Sequence, residues 1–145
     1  SIIIHFKERN DLSEKGFYAG EVEFKYKSFH GSGTFKKTNP RRSVEYTGEF
    51  EFGNYHGIGT IKVYMTDGSS FVYKGEFKRG IPDGTGTLIK TRKDGSSFVY
   101  KGEFKQGEAD GTGTLIKTSK DGSVIKYSGK FKQGIPDETN NLQIT

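Results

Sequence analysis

Residues with the chemistry for catalysis are few in this sequence. The histidines are His5, His30 and His56, and there is no cysteine. None of the three stands with serine and aspartate, or with a second histidine, at the spacing of a hydrolase triad or a zinc site. The sequence therefore predicts a protein that is not an enzyme, with no metal, no cofactor and no small-molecule substrate.

Two of these histidines occupy one position of a segment that recurs along the chain. His30 and His56 stand directly before a glycine, where later copies of the segment have Asp83 and Asp110. Function has to be argued from a site and not from a lone side chain. We therefore interpret this position as a turn residue.

The glycine-rich and acidic elements do not form ligand loops. The Gly-x-Gly elements, such as those at 84–86 and 111–113, are not followed by a helix or by the lysine of a phosphate loop. The Asp-Gly pairs that begin at Asp94 and Asp121 lack the repeated acidic residues of a calcium loop. The sequence therefore favours structural roles for both kinds of element.

Positive charge is the remaining chemical signal. The formal net charge is +5, which favours acidic partners. One basic segment surrounds Asn39-Pro40, and further lysines recur at the period of the repeat, with glutamates between them. Lysines that alternate with glutamates are typical of a solvated face of the sheet. A basic surface that binds acidic lipid headgroups remains the alternative. The candidate contacts for an acidic partner are Lys36, Lys37, Arg41, Arg42, Lys78, Lys105 and Lys132.

An internal repeat accounts for most of the chain. The 27-residue segments that begin at Asp67 and Asp94 are identical at 23 positions. The tyrosines Tyr46, Tyr73, Tyr100 and Tyr127 are 27 residues apart, and Tyr18 lies 28 before Tyr46. Such self-similarity is the sequence signature of a stacked repeat architecture.

Each copy has the alternation of a β-strand. Phe98, Tyr100, Gly102 and Phe104 alternate with small, aliphatic or charged residues, which predicts aromatic side chains on one face and charged side chains on the other. We expect the strand glycines to make room for a neighbouring aromatic ring. We also expect the Asp-Gly pairs to form type I′ turns, and Gly80, Gly107 and Gly134 to have positive φ in the other turn.

The repeated motif is Tyr-x-Gly-x-Phe-x-x-Gly-x-x-(His/Asp)-Gly-x-Gly-x-apolar, and it resembles the MORN (membrane occupation and recognition nexus) repeat. The copies at Tyr46, Tyr73 and Tyr100 fit well, whereas the copy at Tyr18 has two extra residues and Val22 in place of phenylalanine. The copy at Tyr127 lacks Gly-x-Gly. The expected organisation is an N-terminal strand or cap at 1–17, five repeats at 18–137 beginning near 18, 46, 73, 100 and 127, and a tail at 138–145.

The resemblance implies an all-β fold, namely an elongated, curved, single-layer antiparallel sheet of tandem β-hairpins. It also implies a non-catalytic protein-interaction scaffold that is cytoplasmic, with cytoskeletal, ciliary or membrane association. Two alternatives remain, a peripheral module for acidic phospholipids and an accessory domain of a larger enzyme such as a SET-type methyltransferase or a phosphoinositide kinase. The aromatic residues expected to pack, and to offer a groove, are Tyr46, Phe50, Tyr73, Phe77, Tyr100, Phe104, Tyr127 and Phe131.

Partners are expected to be proteins, with acidic membrane lipid as a second class. Nucleic acid is disfavoured, because strand lysines such as Lys74 and Lys101 are expected on the face opposite the aromatic rings, where they cannot hold phosphates beside stacked bases. An open sheet also has two edge strands. We expect the segment from Ile2 to add a strand at one edge. The other edge, around Tyr127 to Phe131 and the tail, is expected to be poorly protected and to contact either a second copy, as in a homodimer, or the continuing chain.

Overall fold

In the computed structural model, the backbone is described for residues 2–11, 14–25, 28–137 and 142–144, and the side chains for residues 31–137. The described residues form β-strands joined by short turns. The strands are β1 (Ile2–Asp11), β2 (Glu14–Lys25), β3 (Ser28–Thr38), β4 (Arg42–Glu51), β5 (Asn54–Met65), β6 (Ser70–Lys78), β7 (Ile81–Thr91), β8 (Ser97–Lys105), β9 (Glu108–Thr118), β10 (Val124–Lys132), β11 (Ile135–Pro136) and β12 (Leu142–Ile144).

The strands make one open sheet in which each strand pairs with its neighbours in sequence. The order runs from β1 to β11 without a crossover, every pairing is antiparallel, and β12 also pairs with β10. Such a meander needs only local connections, as expected for a stack of hairpins. The predicted all-β class and the antiparallel sheet of tandem hairpins are confirmed.

The core is a ladder of aromatic rings on one face of the sheet. Tyr46, Tyr73 and Tyr100 each contact a phenylalanine of their own strand and one of the next repeat. For Tyr73 these are Phe77 and Phe104, both with ring centroids 5.0 Å away and planes 83–89° apart. Edge-to-face pairs of this kind are favoured by the ring quadrupoles. We call this set the aromatic ladder, and its members are Tyr46, Phe50, Tyr73, Phe77, Tyr100, Phe104, Tyr127 and Phe131.

Two strand glycines in each repeat allow a ladder tyrosine to lie flat against the sheet. A Cβ on Gly86 would stand 2.6 Å from the ring of Tyr73, and a Cβ on Gly75 would stand 2.5 Å from the Cα of Gly86. The Tyr73 hydroxyl then donates to the carbonyl of Glu76 at 2.7 Å. The prediction that these glycines make room for aromatic rings is confirmed.

The two kinds of turn differ from the prediction in one respect. Gly80, Gly107 and Gly134 have positive φ, as expected, and so do the residues before them, for example Gln106 at 49°. Positive φ at both central residues defines a type I′ turn, so the type I′ turns are these tight ones. The assignment of type I′ to the Asp-Gly pairs is wrong, because only the glycine has positive φ there.

The Asp-Gly turns are three-residue loops closed by a side chain. The Gly95 N–H donates to the carbonyl of Arg92 at 3.0 Å, and the Arg92 N–H donates to the carbonyl of Ser96 at 2.9 Å. Oδ1 of Asp94 accepts from the backbone N–H and the hydroxyl of Ser96 at 2.8 and 2.6 Å. This is a type I turn followed by a left-handed glycine, the usual three-residue hairpin loop.

The terminal strands cover part of each end of the array. Residues 2–4 of β1 pair with residues 20–22 of β2, so the N-terminal apolar segment adds a strand as expected. At the other end, residues 142–144 pair with 125–127, and residues 135–136 pair with 131–132. The expectation that this edge is poorly protected is therefore wrong where those residues lie, since the tail of the same chain supplies the backbone partners.

Candidate functional site

The predicted groove aromatics form the floor of the site and are not its exposed surface. Tyr46 is 0% exposed and Phe50, the most exposed ring of the ladder, is 6% exposed. Their packing role explains the pattern Tyr-x-Gly-x-Phe without any ligand. A partner would instead contact the half-buried side chains above the ladder, which are Phe35, Tyr55, Ile61, Leu88, Ala109 and Leu115.

Concave surface runs along this face, which we call the aromatic face. Two adjoining concavities of about 390 and 360 Å³ share Leu88, Phe104 and Gly107 in their walls. A third, of about 320 Å³, lies toward the N-terminal repeats between Phe35 and Gly80. The two adjoining concavities form a groove that crosses strands β5 to β10 and has mostly apolar walls.

Two lysines on the aromatic face were not anticipated. Lys90 pairs across the sheet with Phe71 and Phe98, and Lys117 pairs with Phe98 and Ile125. The Lys90 Nζ lies 5.7 Å from the centre of the Phe98 ring. The expectation that strand lysines point away from the aromatic face is wrong for these two. The second strand of the repeats at Tyr73 and Tyr100 reads Leu-Ile-Lys, so counting by two from Leu88 to Lys90 and from Leu115 to Lys117 would have placed both lysines.

The opposite face carries the predicted mixture of charges. Lys74, Glu76, Lys101 and Glu103 are exposed there, while Tyr73 and Tyr100 are buried on the aromatic face. Each of these glutamate carboxylates also accepts a backbone N–H of the neighbouring strand. Glu49 accepts from Ile58 at 2.6 Å, Glu76 from Thr85 and Glu103 from Thr112.

The basic segment around Asn39-Pro40 is divided by the sheet. Lys36 lies on the opposite face, 3.7 Å from Glu45, whereas Lys37 lines the third concavity of the aromatic face. Arg41 and Arg42 are exposed beside the turn, which the Asn39 carboxamide closes by accepting both backbone N–H groups at 2.8 and 2.9 Å. Adjacent strand residues point to opposite faces, so Lys36 and Lys37 cannot contact one ligand on the same face.

The recurring lysines lie beside the tight turns, along one long border of the sheet that we call the tight-turn edge. Lys78, Lys105 and Lys132 are exposed at corresponding positions of three repeats. Large apolar side chains are exposed on the same edge, with Phe52 59%, Ile81 42% and Ile135 68% accessible. The tight-turn edge is therefore both basic and apolar, which the sequence alone did not suggest.

The position shared by histidine and aspartate has a structural role in the described repeats. The Asp83 carboxylate accepts the backbone N–H of Gln106 at 3.2 Å, and the Asp110 carboxylate accepts that of Gln133 at 3.4 Å. These bonds join each repeat to the tight turn of the next. His56 lies 3.0 Å from the Glu51 carboxylate. His5 and His30 lie outside the residues whose side chains are described.

Titration and metal chemistry show no catalytic arrangement within the described part. Burial raises the pKa of Tyr46, Tyr73 and Tyr100 to about 12, so these phenols are neutral at physiological pH. Hydrogen bonds from Ser69, Ser96 and Ser123 lower the pKa of the aspartates in the Asp-Gly turns. Among the described residues there is no cluster of metal-ligating side chains and no helix long enough to cross a bilayer.

Comparison with known proteins identifies the repeat. The family model of the MORN repeat matches residues 46–62, 73–95 and 100–122. No curated protein matches the chain. Each matched segment contains one ladder tyrosine and its Gly-x-Gly strand, so the match covers the elements that build the aromatic face. MORN repeats are interaction modules that bind proteins or lipids and are generally non-catalytic. The chain is a MORN repeat protein.

Proposed function

We propose that this chain is a non-catalytic scaffold that binds a segment of a partner protein in the groove of the aromatic face. The observation that carries the proposal is the continuity of that groove across the repeats. Its two concavities share walls, so one elongated apolar segment can occupy both. A binding groove with mostly apolar walls and a few polar groups is the usual form of a recognition site in proteins.

Leu88 and Ile89 provide a matched test of this groove. Leu88 lines both concavities, whereas its neighbour Ile89 points to the opposite face and is 42% exposed. Peptides selected on the whole chain from a random display library should bind much more weakly to Leu88→Ser and equally well to Ile89→Ser. Thermal melts of both variants check the fold. Selection of no peptide, or of peptides that ignore Leu88→Ser, overturns the proposal.

A peripheral membrane role is the second candidate, and the tight-turn edge favours it. Exposed Ile81 and Ile135 beside Lys78, Lys105 and Lys132 are the combination that inserts apolar side chains below anionic headgroups. Each lysine near such a surface contributes roughly 1 kcal/mol.

Cosedimentation with phosphatidylserine vesicles tests the membrane candidate. Replacement of the three edge lysines by glutamine should abolish binding at low salt, and added salt should weaken the binding of the unsubstituted chain. The control replaces Lys74 and Lys101, which lie on the opposite face, by glutamine. Vesicle binding that is absent at low salt, or that is insensitive to the edge lysines, rejects this candidate.

The finer assignments rest on the family alone. Cytoplasmic, cytoskeletal or ciliary placement, and a role as the accessory domain of a larger enzyme, belong to this proposal as contexts in which MORN arrays act. Homodimerisation through the last repeat would have to use the backbone groups of that edge that the tail leaves unpaired. Residues 125–127 and 131–132 of that edge already pair with the tail of the same chain.

A further inference from the structure

We propose that the groove of the aromatic face selects partner segments that carry acidic residues along one side of an apolar stripe. This inference rests on the proposed protein-binding function and names the chemistry of its partner. The motif aromatics recur in all the repeats that line the groove and determine only that the groove is apolar. Lys90 and Lys117, which stand on the groove wall farther from the tight turns, determine its charge.

The charge of this wall has one sign. In strands β6 to β10, the row beyond the ladder tyrosines on the aromatic face consists of Phe71, Lys90, Phe98, Lys117 and Ile125, in the order in which the strands pair. This row contains two cations and no carboxylate. Arg92 adds a positive group to the lining beyond this row, where it interacts electrostatically with the Asp94 carboxylate.

The nearby carboxylates are held elsewhere. Glu108 also lines the groove, but it stands beside the tight turn, on the wall opposite the lysines. Asp94 and Asp121 lie in the three-residue turns, where each Oδ1 accepts two hydrogen bonds from the serine two residues later. Mutual cancellation, which characterises the opposite face, is therefore absent from the described lysine wall.

The spacing of the two lysines defines the ligand more closely. They lie two strands apart, which corresponds to about 9.6 Å along the groove. Between and beside them stand the apolar walls formed by Phe98, Leu88 and Leu115. A segment lying along the groove can place apolar side chains against these walls and two carboxylates about 10 Å apart against the lysines. Charge complementarity of this kind contributes most to partner choice and association rate.

The ring geometry favours a peptide over a single-stranded nucleic acid. Base stacking needs exposed ring faces. The ladder rings are packed edge to face against one another, and Tyr73, Tyr100 and Phe104 are 1%, 3% and 5% exposed. The Phe98 ring already has the Lys90 ammonium near its face.

The test compares charge reversal at two lysines of the groove with charge reversal at two lysines on the opposite face of the sheet. One variant carries Lys90→Glu and Lys117→Glu. Its matched control carries Lys74→Glu and Lys101→Glu, which are also two strands apart but exposed on the opposite face. A random 16-residue peptide display library is selected on the unsubstituted chain and on both variants, and melting curves verify that all three are folded.

Peptides selected on the unsubstituted chain and on the control should share apolar residues with an excess of Asp and Glu. The Lys90/Lys117 variant should lose that excess. For one selected peptide, fluorescence anisotropy should show binding about 2- to 30-fold weaker in this variant, and Lys90→Arg with Lys117→Arg should retain binding.

Each contrary result points to one cause. Selected peptides that need Leu88 but show no acidic excess overturn this inference and leave the proposed function standing. Selected peptides that bind equally well without Leu88 overturn both this inference and the proposed function. Binding of oligothymidylate or of phosphatidylserine vesicles that requires Lys90 and Lys117, with no acidic peptide selected, overturns the choice of a peptide partner.

Discussion

At the scale of single residues, glycine and tyrosine act as a pair in this protein. Tyr46, Tyr73 and Tyr100 each cover two glycines that face each other across adjacent strands, as Tyr73 covers Gly75 and Gly86. The absence of a side chain is what brings the ring within contact of the backbone. The glycines are therefore part of the core, although glycine in a strand interior generally weakens a sheet.

Gly86→Ala should destabilise the fold because its Cβ would stand 2.6 Å from the Tyr73 ring. Gly86 does not have positive φ, so the effect is steric and not conformational. Overpacking of this kind costs about 1–3 kcal/mol. The control is Thr85→Ala on the adjacent exposed residue. Urea unfolding measures both, and equal free energies of unfolding would contradict the account of these glycines.

The buried phenols predict a loss of stability in alkali. Their pKa is raised to about 12 in the fold and is about 10 in the unfolded chain, so unfolding releases protons between these values. Stability is fully present below pH 10 and is lost as the pH rises toward 12, by about 1.4 kcal/mol per tyrosine at pH 11.

Tyr73→Phe is the variant that tests this pH dependence. It also lacks the hydrogen bond to Glu76, so it should be less stable at pH 8. Its further loss between pH 9 and pH 11 should nevertheless be smaller than that of the unsubstituted chain. Urea unfolding at these pH values measures the difference, and parallel curves for the two proteins would exclude Tyr73 as a source of the effect.

At the scale of elements, the tight turns carry backbone strain. Gln106 has φ of 49°, a left-handed conformation that asparagine adopts more readily than glutamine. Gln106→Asn creates the Asn-Gly pair that type I′ turns prefer and should stabilise the protein by up to about 1 kcal/mol.

Gln106→Val is the opposing variant, because a β-branched residue is poorly accommodated at this φ. It should lower the melting temperature, whereas Gln106→Asn should raise it. The backbone N–H that donates to Asp83 is present in both variants, so this link between repeats does not enter the comparison. If both substitutions shifted the melting temperature in the same direction, turn strain would be excluded as the cause.

At the scale of the whole molecule, the described strands form a single sheet without a second layer, and the repeats are held together by backbone pairing and by the aromatic ladder. Phe104 bridges two repeats, since its ring lies 5.0 Å from both Tyr73 and Tyr100. In a stack where each repeat touches only its neighbours, the loss of one bridge weakens the coupling between both sides.

Phe104→Ala should therefore destabilise the whole chain by about 3–5 kcal/mol, as expected for a phenylalanine that is 5% exposed. Phe52→Ala is the control, since Phe52 is 59% exposed and lies outside the ladder. Calorimetry measures both. A Phe104→Ala melt that overlays that of the unsubstituted chain would show that the ladder does not hold the array together.

The 27-residue period determined the hairpin array, and strand alternation determined which residues form its core. Both signals are local, because a strand places successive side chains on opposite faces and consecutive hairpins pair with each other. Tyr73, Phe77, Tyr100 and Phe104 are buried together in the ladder on one face, as the alternation predicts.

The tertiary structure decided which cations of different strands lie close together. Lys36 and Lys37 are adjacent in sequence but lie on opposite faces, whereas Lys90 and Lys117 are 27 residues apart and lie on the same groove wall. Pairing register sets these distances, and the register depends on the turns. The type of the Asp-Gly turns could not be predicted from the sequence either, because Asp-Gly is compatible with both a two-residue and a three-residue loop. Hydrogen bonds from Ser96 to Asp94 accompany the longer one.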